Sequence, residues 1–346
     1  MNRTLCPPAL AGSFALVAAL AGCGGGGDAP APAPAPAPAA VTISGVAADG
    51  ALQGATACYD LNDNGACDNG EPASGPTGAN GSFSLDVDTA AAGRHRVVVV
   101  VPATAIDADT GQAVAGAFTL QTPATGTTTA HTVFASPLTT LVQAHVDATG
   151  ASVAAAADFV KAQASLALSP LADFTGGSAD ARIAATVARL VTLATLKQGA
   201  AVASVIGQPD ISGATVTQAD LDKAVLKAVI GVLPALAGAA AEPAVVNAAT
   251  PADRLAALNT AAQTIVTEQS SLTAANAAAV VGTAKLPADV AAATPAAGAT
   301  LRAFKYTDAK NWFYRSMESS VVDNTPDANG HTHFYDVRSE SVGTVF

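Results

Sequence analysis

Hydrophobic and polar positions change period along this chain, and the changes mark its parts. From Val41 the period is two: Val41-Thr-Ile43, a strand through Ala55 to Tyr59, then Phe83, Leu85 and Val87 with Ser and Asp between them. That alternation predicts strands with one face on a core. Val97 to Val101 is a continuous β-branched run, which predicts a central strand covered on both faces. Pro102 ends it, and Phe118-Thr-Leu120 reads as a further short strand. Asn80-Gly81 reads as a hairpin-type turn, and Asp109-Thr-Gly111 as another turn. Short strands at regular intervals with turn signals predict a small β-sandwich over residues 41–130.

Around Ser136-Pro137 the period becomes 3.6, with Ser136 as N-cap and Pro137 at the first helical position. Further helices are predicted from about Ser152 to Leu166, after Ser178 (burying Ile183, Val187, Leu190 and Ala194), from Thr217, from Thr250-Pro251 (Leu255, Leu258, Ala262, Ile265), and over Ala274 to Val281. Asp220 completes a capping box with Thr217, and Pro234 should kink or end that helix. Residues 131–285 therefore read as an Ala-rich helical bundle. Alanine favours helix but buries little area per residue. The apolar run near Ala228 to Ala241 holds a proline and is short for a membrane span. Residues 286–300 form an Ala/Pro/Gly/Thr linker. Residues 301–346 gather aromatic residues and read as strands at Leu301–Tyr306, Asn311–Val322 and His331–Val337. This short β segment either docks on its neighbours or opens a larger domain, with a truncated reading frame, since it is small for a core of its own. The predicted fold is thus α+β and multidomain: β-sandwich, helical bundle, short C-terminal β segment.

The N-terminus is read as address rather than fold. Arg3 supplies a positive n-region, Ala9 to Leu20 is an apolar h-region, and residues 1–22 read as a signal peptide. Leu20-Ala21-Gly22-Cys23 resembles a bacterial lipobox. The resemblance implies cleavage before Cys23, lipidation of its thiol and, with Gly24 following, sorting to the outer membrane. The alternative is an ordinary secretion signal with a chance cysteine. Across residues 23–40 a flexible Gly run leads into the Ala-Pro alternation of Ala29 to Pro38, a semi-rigid polyproline spacer roughly 30 Å long at about 3.1 Å per residue.

Chemistry concentrates between Cys58 and Glu71. Read from Asp60, the run spells a twelve-residue calcium loop. Asp60, Asn62 and Asn64 hold positions 1, 3 and 5, Gly65 the sharp turn, Ala66 a backbone carbonyl at position 7, Asp68 position 9 and Glu71 position 12. Three carboxylates are expected to converge there and to need a Ca2+ ion. Asx turns built by Asn, Asp and Gly without metal are the competing explanation. Pro72 follows at once, so no exiting helix is expected and the loop is not a helix–loop–helix EF-hand. Cys6 leaves with the signal and Cys23 carries lipid, so Cys58 and Cys67 remain as one pair in an oxidising compartment. Two buried thiols are the other option.

The pattern Val41-Thr-Ile-Ser-Gly45, Gly54-Ala-Thr56, the Asp/Asn-Gly loop and Gly78-Ala-Asn-Gly-Ser-Phe-Ser-Leu85 resembles the carboxypeptidase-regulatory-like (prealbumin-like) β-sandwich of bacterial surface lipoproteins. The resemblance covers roughly residues 41 to 125. It implies a non-catalytic stalk, spacer or adhesion unit with calcium in such a loop. A formal charge of -11 argues against a nucleic-acid partner and suits divalent cations. No serine-nucleophile elbow, zincin helix, phosphate loop or Cys-x-x-Cys stands in the sequence. His131 and His145 lack ligand-spaced partners, and His331, His333 and Asp336 make only a weak strand-borne metal pattern. The expectation is a non-enzymatic, calcium-binding, membrane-anchored lipoprotein with an unknown protein or glycan partner. The alternatives are an accessory part of an enzyme whose catalytic C-terminal domain is missing, or a periplasmic ligand-binding protein.

Overall fold

A computed structural model describes residues 39–211 and 213–285, and the backbone of 301–307 and 312–318. The signal peptide, Cys23, most of the 23–40 spacer, the 286–300 linker and the expected strand at 331–337 lie outside the described residues. The protein is α+β: β-sheets over residues 40–135, then seven helices.

In the first sheet β1 (Ala40–Ala47) is central. It pairs antiparallel with β5 (Ser82–Asp88) and parallel with β10 (His131–Ala135). The second sheet is antiparallel, in the order β4 (Ala73–Pro76), β3 (Thr56–Tyr59), β6 (Val97–Val101), β9 (Phe118–Thr122). A small ribbon joins β2 (Leu52–Gln53), β7 (Ile106–Asp107) and β8 (Gln112–Ala113).

Val41 and Ile43 of β1, Phe83, Leu85 and Val87 of β5, and Ala57, Tyr59, Val97, Val99, Val101 and Leu120 of the second sheet share one buried core. Each large aliphatic side chain buried there contributes about 1.5–3 kcal/mol. The expected alternation is observed in β5, whose odd-numbered residues are buried and even-numbered ones exposed. In β6 four of the five valines are buried and Val100 is 39% exposed, so that strand is covered on most of both faces. The Tyr59 hydroxyl donates to the Ala91 carbonyl at 2.8 Å and accepts from the Arg94 and His95 amides, each at 3.1 Å.

Two features of the β region differ from the sequence expectation. The Asn80-Gly81 turn links β4 to β5, which lie in different sheets, so it is a corner and not a hairpin. Gly81 sits at φ 74, and a Cβ there would come within 2.3 Å of the Ala47 carbonyl. The β region also runs five residues past the expected boundary at 130, because His131–Ala135 pairs with β1 instead of leading the helices.

The helices are α1 (Pro137–Thr149), α2 (Val153–Gln163), α3 (Ala179–Val202), α4 (Gln218–Ala240), α5 (Pro243–Val246), α6 (Pro251–Gln269) and α7 (Ala277–Lys285). The predicted caps form: Ser136, Ser152, Ser178, Thr217 and Thr250 each accept from the amide three residues on. Such a cap stabilises by about 1 kcal/mol. Helix α4 packs against each of the other helices. It is long and apolar enough to cross a membrane by length and composition, yet 44% of its most apolar window is buried inside the protein. It also runs through Pro234 without ending. Buried Leu233, Leu236 and Ala239 on both sides of the proline keep it helical, so packing outweighs the missing N–H donor. Ile183 is 51% exposed, not buried, because the apolar stripe of α3 enters at Ala181 and Ala184. No β segment follows the helices within residues 39–285. Beyond them the described backbone of β11 (Leu301–Thr307) and β12 (Trp312–Glu318) pairs antiparallel.

Candidate functional site

The loop of Asp60 to Glu71 leaves the end of β3 and returns to β4. Cys58 and Cys67 are joined by a disulfide, with Cα atoms 5.7 Å apart. Asp60 is fully buried, whereas Leu61 to Asn64 are exposed. Its carboxylate accepts from the Asn64 amide (3.1 Å) and the Gly65 amide (2.7 Å). Gly65 takes φ 83, the left-handed turn its position requires. Burial pushes the Asp60 carboxyl up from its ordinary range, and those two amides and Arg96 oppose the rise.

The other predicted ligands are also brought into this loop. Asn62 Oδ1 accepts from the Asn64 amide (3.0 Å), and Asn64 Oδ1 from the Ala66 amide (2.7 Å). The side-chain amides of Asn62 and Asn64 both donate to Asp68 Oδ2, at 2.8 and 2.7 Å, and hold the Asp68 carboxyl below its usual range. Glu71 accepts from the Leu61 amide through Oε1 (2.8 Å) and the Asp68 amide through Oε2 (2.9 Å). Each carboxylate is therefore answered by N–H groups of the loop itself. Among the described residues no three His, Cys, Asp or Glu side chains form a metal-holding group, so the expected convergence of Asp60, Asp68 and Glu71 is not seen. The donor chemistry nonetheless fits a hard cation. The predicted ligand atoms are all oxygen, three of them from carboxylates, with no sulfur or imidazole among them.

Arg96, immediately before β6, ties the loop to the rest of the protein. It is 8% exposed. Its Nε lies 3.7 Å from Asp60 Oδ2 and 3.8 Å from Asp63 Oδ1. Its other nitrogens grip Asp147 of α1 as a fork, Nη1 to Oδ2 at 2.7 Å and Nη2 to Oδ1 at 3.0 Å. Nη1 also donates to Gln121 of β9 at 3.0 Å, and Gln143 of α1 donates to Asp147 at 2.7 Å. His95 Nδ1 lies 3.0 Å from Asp63 Oδ2.

Compared with known proteins, the chain matches no family model, no curated protein and no solved structure.

A second charged cluster lies where the β region meets α3. The Arg189 guanidinium pairs with Asp107 through Nη1, its Nε lies 3.7 Å from Asp49 Oδ2, and its Nη2 lies 3.9 Å from Asp109 Oδ2. Asp49 and Asp107 are buried. Burial, opposed by Arg189 and reinforced by Asp107, pushes the Asp49 carboxyl up to about 7. Gly50, at φ 84, lets the chain pass here, since a Cβ would meet Asp107 Oδ1 at 2.3 Å. Neither cluster's basic residue was anticipated from sequence. For Arg189 the available signal was an arginine among the apolar residues of an Ala-rich helix, which must find a partner when that face is buried.

Proposed function

We propose that the chain is a non-enzymatic, lipid-anchored bacterial lipoprotein whose β region acts as a calcium-stiffened stalk or interaction module outside the inner membrane. The finer architecture belongs to the same reading: a β-sandwich of the carboxypeptidase-regulatory-like kind, a helical bundle, and a C-terminal β segment. The observation that carries it is the Asp60–Glu71 loop. Six oxygen-bearing positions at calcium-loop spacing sit on a backbone already folded around Asp60 and closed by the Cys58–Cys67 bridge. A bound cation would take over the acidic oxygens that loop N–H groups now share, and would join the two ends of the loop. The disulfide supports an oxidising compartment, in keeping with the lipobox-like Cys23.

The test is thermal unfolding of the full chain with calcium chloride and with chelator. Extracellular calcium modules bind with Kd of about 10⁻⁴–10⁻³ M. At a hundredfold excess over Kd the stabilisation is about 2.7 kcal/mol. A rise in Tm with calcium, absent in Asp60→Asn with Glu71→Gln, is expected. Superimposed melting curves with calcium and with chelator would reject the calcium role.

A further inference from the structure

We propose that Arg96 is the resident counter-cation of the Asp60–Glu71 loop, setting its affinity for a divalent ion and linking its occupancy to helix α1 through Asp147. The inference rests on the calcium reading above. Arg96 occupies the inner side of the loop, with Nε facing both Asp60 and Asp63. That Nε is buried and, among the described residues, makes no hydrogen bond. Its positive charge thus faces the first ligand position without being spent on a directional bond there.

Two effects oppose each other at this point. The guanidinium steadies the buried Asp60 carboxylate before a cation arrives, which favours a ready-made loop. It also repels any cation that Asp60 would ligate, because the two positive centres would lie within several ångströms of one another beside the buried Asp60 carboxylate. Repulsion wins, since Asp60 is already held by the Asn64 and Gly65 amides and does not need Arg96 to keep its place. Asp147 moderates that repulsion. Its two-pronged grip draws the guanidinium charge toward α1 and away from the loop. Divalent binding should therefore tighten the Arg96–Asp147 pair and seat α1 more firmly. His95 faces Asp63, and Gln121 and Gln143 complete the shell, so no further arginine or lysine lies among these partners.

The experiment is isothermal titration of calcium chloride into the full, disulfide-bonded chain, for wild type, Arg96→Gln, Arg96→Lys and Asp147→Asn. Hydrogen exchange over residues 137–149 is followed with and without calcium. Removing the charge in Arg96→Gln should tighten binding about tenfold or more. Asp147→Asn should weaken it several-fold, and Arg96→Lys, which keeps the charge, should stay near wild type. Calcium should slow exchange in α1 of wild type and lose that effect in Arg96→Gln. If wild type binds calcium and Arg96→Gln binds no tighter, or Asp147→Asn shifts the same way as Arg96→Gln, the role of Arg96 is overturned while the calcium reading stands. If wild type and every variant show no heat of binding, the calcium reading itself falls, and the role of Arg96 with it. Should Arg96→Gln fail to fold, the contrast between unchanged affinity in Arg96→Lys and weakened affinity in Asp147→Asn still decides, because a merely structural tether gives equal affinities in both.

Discussion

Two groups of acidic side chains in this protein meet the same difficulty by opposite means. In the Asp60–Glu71 loop three of the four acidic side chains are exposed or partly so, and local N–H groups and the Asn62 and Asn64 amides satisfy the carboxylates of Asp60, Asp68 and Glu71. Where the β region meets α3, Asp49 and Asp107 are buried and look to one distant cation, Arg189. The first arrangement is written in a dozen consecutive residues. The second depends on elements far apart in the chain being docked together. Local satisfaction leaves a site free to exchange its partners for a ligand. Long-range satisfaction makes a joint that holds only when the whole fold is in place.

The largest effect should come from Arg189→Met. It strands two buried carboxylates, and breaking one side of a buried ion cluster costs about 3–5 kcal/mol. The midpoint of denaturant unfolding should fall accordingly. A loss under about 1 kcal/mol would mean that this joint is as self-sufficient as the loop, and the contrast would collapse. Next in size is the staple. Replacing both Cys58 and Cys67 by Ser removes a short covalent closure worth about 2.5–3 kcal/mol in the chain-entropy model. Reducing agent should lower the wild-type melting temperature and leave that of the double variant unmoved.

The smallest effect distinguishes the two regions by pH. Asp49 titrates at about 7 in the folded protein against an ordinary 3.8. Between those values the folded state holds a proton that the unfolded state has released. This group's contribution is therefore complete below about pH 4 and is lost as pH rises through 7. Asp49→Asn should flatten the decline in stability between pH 5 and pH 8 by on the order of 1–2 kcal/mol, with each pKa unit worth about 1.4 kcal/mol and part of the burial cost relaxed by water entry. Asp68 runs the other way, its lowered carboxyl favouring the fold above its ordinary range. Parallel stability curves for wild type and Asp49→Asn would show that Asp49 keeps its charge in the fold.

The legible parts of this protein were those whose cause is local. Alternation at Phe83, Leu85 and Val87 foretold a one-sided strand, and Ser136-Pro137 and Thr217 with Asp220 foretold helix starts, because caps and pleats are decided within a few residues. The pairing of Cys58 with Cys67 was readable for the same reason. Arg96 and Arg189 were not, since Asp147 and Asp107 lie 51 and 82 positions away along the chain. Nothing near either arginine announces its partner. Pro234 shows the reverse error: a strong local signal to stop was overruled by packing around α4.

The parallel pairing of β1 with β10 also has a mechanical meaning. The chain enters β1 at Ala40 and leaves β10 at Ala135, and the register sets Ala47 beside Ala135. Tension applied to the two ends of the β region therefore pulls these neighbouring strands lengthwise in opposite directions. Their shared hydrogen bonds are strained together in shear, where a hairpin pulled at its open end would unzip one rung at a time. A tug between whatever lies before residue 40 and the helices after residue 135 thus meets the β region along its stiffest direction.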